Sequence, residues 1–221
     1  MPKTIRPIVR CPWAGTDPIY RAYHDNEWGV PVHRDKKLFE FLILEGFQAG
    51  LSWITILKRR ELFRVAFDNW DWRVIAAYKG ADVSRLMGDA GIIRNRLKIV
   101  SAINNAKRFE EIRKEFGTFS RYMWRFTDNA TVLPEKPYAS WKDVPCTSPI
   151  SDAMSADLRK RGFTFAGSVI CYSHMQAVGM VNDHVRGCFR CPVTPSSILS
   201  PSPSPLRSQS SRSFRSLAAP G

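Results

Sequence analysis

The sequence has no long hydrophobic run, few cysteines and a deficit of acidic residues. No segment approaches the roughly eighteen uninterrupted apolar residues of a membrane helix, and the first residues lack the apolar core of a secretory signal, so we expect neither. Five cysteines are an odd number and form no dense framework, which favours a reducing compartment and metal-binding or buried thiols over disulfides. With 20 acidic against 33 basic residues, the net charge of +13 predicts an anionic partner, either nucleic acid or a membrane surface.

Composition divides the 221 residues into three parts. Residues 1–10 carry basic side chains and no acid, and we interpret them as a flexible basic extension. Residues 192–221 are rich in Ser and Pro and are also free of acids, so we expect a disordered tail. The two flanks carry six of the thirteen net charges, and residues 11–191 remain basic. These central residues hold most of the aromatic side chains and are predicted to fold as one domain.

The pattern within residues 11–191 is helical. Apolar residues recur at steps of three and four, and no alternating pattern of a strand is visible, so the sequence predicts an all-α fold. We expect helices to be capped by Asp17, which precedes a proline, and by Asp35, Ser52 and Ser151. The longest predicted helix covers residues 92–116.

Two Cys/His pairs stand near the two ends of the predicted domain. Cys11 and His24 are thirteen residues apart, and His184 and Cys188 are four apart. Two cysteines and two histidines can complete a tetrahedral Zn²⁺ site, and a set of four protein ligands suits a structural role. Spacing alone leaves alternatives open, because a single cysteine is usually a small buried side chain and Cys191 could pair with Cys188 instead.

One carboxylate falls on an apolar helix face. Glu45 follows Leu38, Phe41 and Leu42 at intervals of seven, four and three residues, which puts all four side chains on one side of a helix. A carboxylate there is costly unless it is paired or functional. Flat aromatic side chains lie nearby in the sequence and could hold a flat, cationic ligand, or could simply form the core around a Glu45–Arg pair: Trp13, Tyr20, Tyr23, Trp28 and Trp53.

A glycine-containing turn separates a short predicted helix from the long one. Gly88 and Gly91 allow a close backbone approach, and the N-terminus of the next helix offers N–H groups to a phosphate. Arg94, Arg96 and Lys98 follow and suggest a DNA-backbone clamp. A simple turn between two helices explains the glycines equally well.

Long literal stretches of residues 11–190 carry a family resemblance. They are YHDNEWGVP at 23–31, KKLFE at 36–40, LEGFQAGLSWITIL at 44–57, DAGIIRNR at 89–96, KRGFTFAG at 160–167 and ICYSHMQAVGMVNDH at 170–184. Together they resemble the type I 3-methyladenine DNA glycosylases, the constitutive alkylation-repair family of bacteria.

The resemblance implies an all-α helix-hairpin-helix glycosylase fold with one structural Zn²⁺ that joins the N- and C-terminal segments. It implies hydrolysis of the N-glycosidic bond of 3-methyladenine in alkylated double-stranded DNA, with release of the base and no strand-cleaving lyase step. We expect a monomer in the bacterial cytoplasm, associated with the nucleoid and not with a membrane. A non-catalytic, zinc-stapled DNA-binding module is the competing interpretation, and a zinc hydrolase would require an open coordination position.

The same resemblance implies roles for individual residues. Glu45 would contact the extruded base as the catalytic group, and Leu51 would wedge into the gap in the DNA. The implied base-binding residues are Tyr23, Trp53, Trp13 and Tyr20; the implied DNA-binding residues are Leu51, Gly88, Gly91 and Arg94; and the implied zinc ligands are Cys11, His24, His184 and Cys188.

Overall fold

The computed structural model describes residues 8–192. Residues 1–7 of the predicted basic extension and the predicted tail after Pro192 lie outside the described residues. Within residues 8–192 the secondary structure is helical, and the backbone pairing of strand type is a single isolated bridge between Val132 and Val181. The all-α prediction is therefore confirmed for this part of the chain.

Nine α-helices are present in the described residues. In chain order they are α1 (Pro18–Asn26), α2 (Asp35–Gln48), α3 (Trp53–Ala66), α4 (Trp72–Ala76), α5 (Gly80–Gly88), α6 (Arg96–Phe116), α7 (Phe119–Trp124), α8 (Pro149–Lys160) and α9 (Ser168–Ala177). Short 3₁₀ turns cover Pro12–Ala14, Asp68–Trp70, Arg125–Thr127 and Trp141–Asp143. Within residues 8–192, no helix has both the length and the apolar character needed to cross a bilayer.

Helix α2 lies at the centre of the fold. It is apolar on nearly every side, and it packs against α3, α6, α7 and α9. Most of its side chains are buried, and the carboxylate-bearing Glu45 is among them. Because α2 is central, its C-terminal end reaches the region between α1, α3 and α9, where the candidate site lies.

Two of the four predicted caps differ from the structure. Asp17 caps α1 through hydrogen bonds from the N–H groups of Ile19 and Tyr20, as predicted. Asp35 does not cap α2: it is the first residue of that helix, and its carboxylate accepts hydrogen bonds from the backbone of α7 at Phe119 and Ser120.

At α8 the N-cap is Ser148, three residues before the predicted Ser151, and the two serines form a reciprocal capping box. At α3, Ser52 occupies the N-cap position, but its hydroxyl bonds to Thr55 and not to the backbone. The long helix begins at Arg96, and not at residue 92, because the Asn95 side chain accepts a hydrogen bond from the Lys98 N–H and caps it.

Candidate functional site

A cavity of about 290 Å³ opens where α1, α2, α3 and α9 meet. Its walls are mainly aromatic, and polar groups interrupt them at a few points. The lining residues are Trp13, Tyr20, Tyr23, Trp28, Glu45, Gln48, Ser52, Trp53, Trp141, Ser173 and Gln176. The structure therefore brings Glu45 and the five aromatic residues of the sequence prediction into one cavity.

The aromatic residues of this cavity contact one another through tilted and edge-on rings. The ring of Tyr23 lies 5.6 Å from that of Trp53, and the ring of Trp13 lies 5.0 Å from those of Tyr20 and Trp28. Behind Trp53, Phe41 is stacked at 6.5 Å with an interplanar angle of 26°. Packing from behind holds the rings in place, so they form fixed, flat walls.

Glu45 is the buried carboxyl group of this cavity. Its residue is only 3% exposed, and among residues 8–192 no ion pair reaches it. The nearby Arg60 pairs instead with Glu27 and Glu40, which removes the Glu45–Arg alternative for the described residues. Burial raises the pKa of the Glu45 carboxyl to about 8, so an acid normally ionised at neutral pH is largely protonated here.

Four cavity residues were not singled out in the sequence, and the first of them is Gln48 at the C-terminal end of α2. Ser173 and Gln176 come from α9, and Trp141 comes from the 3₁₀ turn in the long loop before α8. The amide of Gln176 donates a hydrogen bond to the buried carboxylate of Asp183, which also accepts one from Tyr172. The spacing of Ser173 and Gln176, two polar residues one turn apart on a mainly apolar helix, is a sequence signal that could have found them.

A cluster of two cysteines and two histidines lies behind the cavity. Cys11, His24, His184 and Cys188 are all buried, and their potential ligand atoms lie within 4.8 Å of one another. The sulfur of Cys188 is 3.5 Å from His24 Nε2 and 3.5 Å from His184 Nδ1. A hydrogen bond from the Cys11 thiol, supported by both histidines, lowers the pKa of Cys188 well below its ordinary value. Such a cluster could bind a metal ion.

The donor set of this cluster fits a tetrahedral metal. His24 Nδ1 lies 2.8 Å from a carboxylate oxygen of Asp25, and His184 Nε2 lies 3.2 Å from the carbonyl oxygen of Trp28. Each histidine therefore has an acceptor on the ring nitrogen that faces away from the sulfurs, which is the usual outer arrangement around metal-binding histidines. Cys191, the rival candidate, lies outside this group of four.

The cluster and the cavity share a wall. The ring of Trp13 is 5.1 Å from that of His24, and the ring of Trp28 is 4.6 Å from that of His184. The cluster also joins the two ends of the described chain, because Cys11 and His24 come from its start and His184 and Cys188 from its end. Beside it, the Phe189 N–H donates a hydrogen bond to the Val9 carbonyl. Both histidines of the cluster therefore contact aromatic residues that line the cavity.

The turn between α2 and α3 forms the rim of the cavity. Gly50 has a φ of +80°, and Leu51 follows it with 38% of its surface exposed. Gln48, Ser52 and Trp53 on either side line the cavity, so Leu51 is an exposed apolar side chain at its edge.

The turn from residue 89 to residue 95 lies between α5 and α6. A Cβ atom on Gly91 would come within 2.9 Å of the Asp89 carboxylate and 3.1 Å of Leu62, so the chain is closely packed there, whereas a Cβ on Gly88 would meet open space. Arg94 and Arg96 are exposed, but Lys98 is buried and does not belong to this basic surface. The exposed part of the predicted clamp is therefore smaller than residues 88–98.

The family model for methyladenine glycosylases matches residues 13–191. The chain belongs to the methyladenine glycosylase family. DNA-3-methyladenine glycosylase 1 of Escherichia coli strain K12 is 49% identical over 181 residues, with coverage of 82% of this chain and 96% of that protein. DNA-3-methyladenine glycosylase of Haemophilus influenzae is 42% identical over 81% of this chain and 96% of its own length.

Solved structures of this family share the fold. A crystal structure of 3-methyladenine DNA glycosylase I is 48% identical and superimposes with a TM-score of 0.80, covering 83% of this chain and all of the other. A variant of 3-methyladenine DNA glycosylase I crystallised in complex with 3-methyladenine is 31% identical, with a TM-score of 0.79 over 84% of this chain and 98% of its own.

Proposed function

We propose that this chain is a monofunctional DNA glycosylase, which hydrolyses the N-glycosidic bond of 3-methyladenine in alkylated double-stranded DNA and so begins base excision repair. The family membership supports the reaction class. The observation that carries the proposal is the buried Glu45 carboxyl in an aromatic cavity, with no ion-pair partner among the described residues. Such a site suits a flat ligand with positive charge at its edge.

The positive charge of the alkylated base explains how Glu45 acts. Methylation at N3 makes adenine cationic, and the cation compensates an ionised carboxylate that burial otherwise disfavours. Glu45 accepts a hydrogen bond from the base edge and releases its own proton when the cationic base enters. The bond between C1′ and the base nitrogen then breaks, its electron pair leaves with the base, and the base departs neutral. Water adds at C1′ and loses a proton, which leaves an abasic site.

The aromatic walls offset the cost of extruding the nucleotide. Taking a base out of the duplex costs a few kcal/mol, and each base stacked on an aromatic ring recovers about 1–3 kcal/mol. In this proposal Tyr23 and Trp53 stack on the base, while Trp13 and Tyr20 form the wall beside it. The indole nitrogens of Trp13 and Trp53 are buried without a hydrogen-bond partner among the described residues, so each of these cavity-lining side chains carries an unpaired donor.

In this proposal two turns contact the DNA: the turn between α2 and α3, and the turn between α5 and α6. Leu51 would fill the gap left by the extruded base. Gly88, Gly91 and Arg94 would follow the phosphate backbone as a helix-hairpin-helix element formed by α5, the turn and α6. Lys98, which follows that turn, donates to two backbone carbonyls and is not placed to attack a sugar, in agreement with a reaction that has no lyase step.

The Cys/His cluster would hold one structural Zn²⁺ through Cys11, His24, His184 and Cys188. A bound zinc ion would supply no chemistry to the base; four protein ligands leave no open coordination position for water. Its role would be to join the two ends of the chain and keep Trp13 and Trp28 in place. A monomer in the bacterial cytoplasm, close to the nucleoid, completes the proposal, because duplex DNA is the substrate.

Incubation with methylated duplex DNA, followed by chromatography of the released bases, tests the proposal. We expect free 3-methyladenine without strand cleavage. Glu45→Gln should lose most excision while remaining folded, whereas Glu61→Gln, at an exposed position on α3, should behave as wild type. DNA binding with no base released would favour the non-catalytic module, and full activity of Glu45→Gln would contradict the role of the carboxyl.

A further inference from the structure

The side chain of Lys98 caps the C-terminal end of α2. Its Nζ donates hydrogen bonds to the carbonyl oxygens of Phe47, at 2.8 Å, and of Ala49, at 2.6 Å. The last carbonyls of a helix have no partner within the helix, and a positive charge there also interacts favourably with the helix dipole. Lys98 satisfies both requirements from a different helix, α6.

The burial of Lys98 indicates that these two contacts matter. The residue is only 8% exposed, and burial lowers the pKa of its ammonium group. An ammonium group is seldom buried unless the groups around it compensate the loss of water. It also lies beside Ser101 and Asn105, both of which bond to the segment at Thr164. Lys98 therefore lies on the same face of α6 as the residues that bond this helix to the loop before α9.

The residues directly after the capped carbonyls form the rim turn. Ala49 is the C-cap residue after α2, Gly50 turns the chain at a φ of +80°, and Leu51 is the exposed apolar residue that follows. Two bonds hold this short turn from within: Leu51 N–H donates to the Gln48 carbonyl at 2.7 Å, and the Gln48 amide donates to the Leu51 carbonyl at 3.4 Å. Lys98 connects the start of this turn to α6 through the Ala49 carbonyl.

The same lysine lies in the first turn of α6, directly after the turn from residue 89 to residue 95. Arg59 of α3 makes a second connection, because its guanidinium donates to the carbonyls of Ala90, at 2.8 Å, and Gly91, at 3.3 Å. Two side chains thus connect the neighbourhoods of the two exposed turns. Lys98 reaches from α6 to the carbonyls before the rim turn, and Arg59 reaches from α3 to the turn at residues 89–95.

We infer that Lys98 is a positioning residue, which fixes the rim turn with Leu51 relative to the basic turn with Arg94. The inference rests on the proposed function, since it assumes that duplex DNA lies across both turns. Base extrusion requires an apolar side chain to enter the duplex at a set distance from the backbone contacts. A rim turn that moves independently would leave the cavity intact but make extrusion inefficient.

Lys98→Met tests this inference, because it keeps the length of the side chain and removes the ammonium group. Lys114→Met is the matched control: it makes the same change at an exposed position on the same helix. We expect Lys98→Met to reduce single-turnover excision from methylated DNA at least tenfold. Its affinity for free 3-methyladenine, measured by quenching of tryptophan fluorescence, should stay within twofold of wild type. Lys98→Arg should recover most of the excision.

Hydrogen exchange of the backbone amides at residues 48–52 provides a readout independent of substrate. We expect faster exchange in Lys98→Met than in wild type, with the amides of α9 unchanged. Equal losses of excision and free-base binding, or unchanged excision, would overturn the inference. So would failure of both Lys98→Met and Lys98→Gln to fold, because Lys98 would then stabilise the whole chain. Absence of base release by wild type would instead refute the proposed function, while the exchange result would still stand.

Discussion

Replacing Glu45 by glutamine should make the protein more stable at neutral and alkaline pH. The buried carboxyl has a pKa of about 8 in the fold against an ordinary value of 4.5. Between these two values the unfolded chain has lost a proton that the folded chain keeps, so the free energy of unfolding falls by about 1.4 kcal/mol per pH unit. At pH 7 the accumulated cost is about 3 kcal/mol, which corresponds to roughly 6–12 °C in the melting temperature.

Glutamine removes this cost, because its amide has the shape of the protonated carboxyl and stays neutral at every pH. Urea unfolding of wild type and Glu45→Gln at pH 4.5, 6 and 8 measures the effect. We expect nearly equal stability at pH 4.5 and a widening advantage for the variant up to pH 8. Titration of the Cys/His cluster is common to both proteins and cancels in the difference. The exposed Glu61→Gln change should give no such trend.

Two results would refute the reasoning. A constant difference between the two proteins from pH 4.5 to pH 8 would mean that Glu45 ionises normally in the fold. A variant less stable than wild type at pH 8 would mean that the carboxylate is stabilised there. If the prediction holds, the chain keeps a destabilising side chain at the site where a cationic base would use it, which is the expected trade between stability and function.

Two further predictions concern the metal cluster and the DNA surface. Cys188→Ala should lower the melting temperature markedly, because removing one ligand from a structural site removes folding free energy. The exposed Cys146→Ala change should leave the melting temperature unchanged. An inactive Cys188→Ala variant that melts like wild type would point to a catalytic metal. Arg94→Ala should weaken duplex binding, and the slope of log affinity against log salt concentration should fall by about one, as expected for one lost phosphate contact. Binding curves at several salt concentrations measure this, with the exposed Arg159→Ala variant as the control. Curves that match those of the control would contradict a phosphate contact at Arg94.

The helical fold was predictable because apolar periodicity is a local property of the sequence. Cap positions were less predictable, since a capping side chain can serve a helix far along the chain. Asp35 shows this: it stands at the start of α2 but accepts hydrogen bonds from α7, more than eighty residues later. Ser151 fails differently, because the serine three residues earlier competes for the same role.

The site was predictable where residues are adjacent in sequence or carry unusual chemistry. Glu45 was found because a carboxylate on an apolar helix face is conspicuous. The four Cys/His residues were found because they are metal-ligand types and stand as two pairs near the two ends of the domain. Trp141 and Gln176 were not found, since only the packing of α9 and of a long loop brings them to the cavity. Lys98 was assigned to the basic surface because sequence gives its charge but not the direction of its side chain.

The junction between Cys11–His24 and His184–Cys188 also sets when the cavity can be completed during synthesis. A growing chain makes the N-terminal wall and Glu45 first, and domains fold as their residues leave the ribosome. The wall from α9 and the second half of the Cys/His cluster are made only when nearly all of residues 8–192 has been translated. A truncated product of interrupted translation would therefore lack both the finished cavity and the partner residues that hold Trp13 and Trp28 in place.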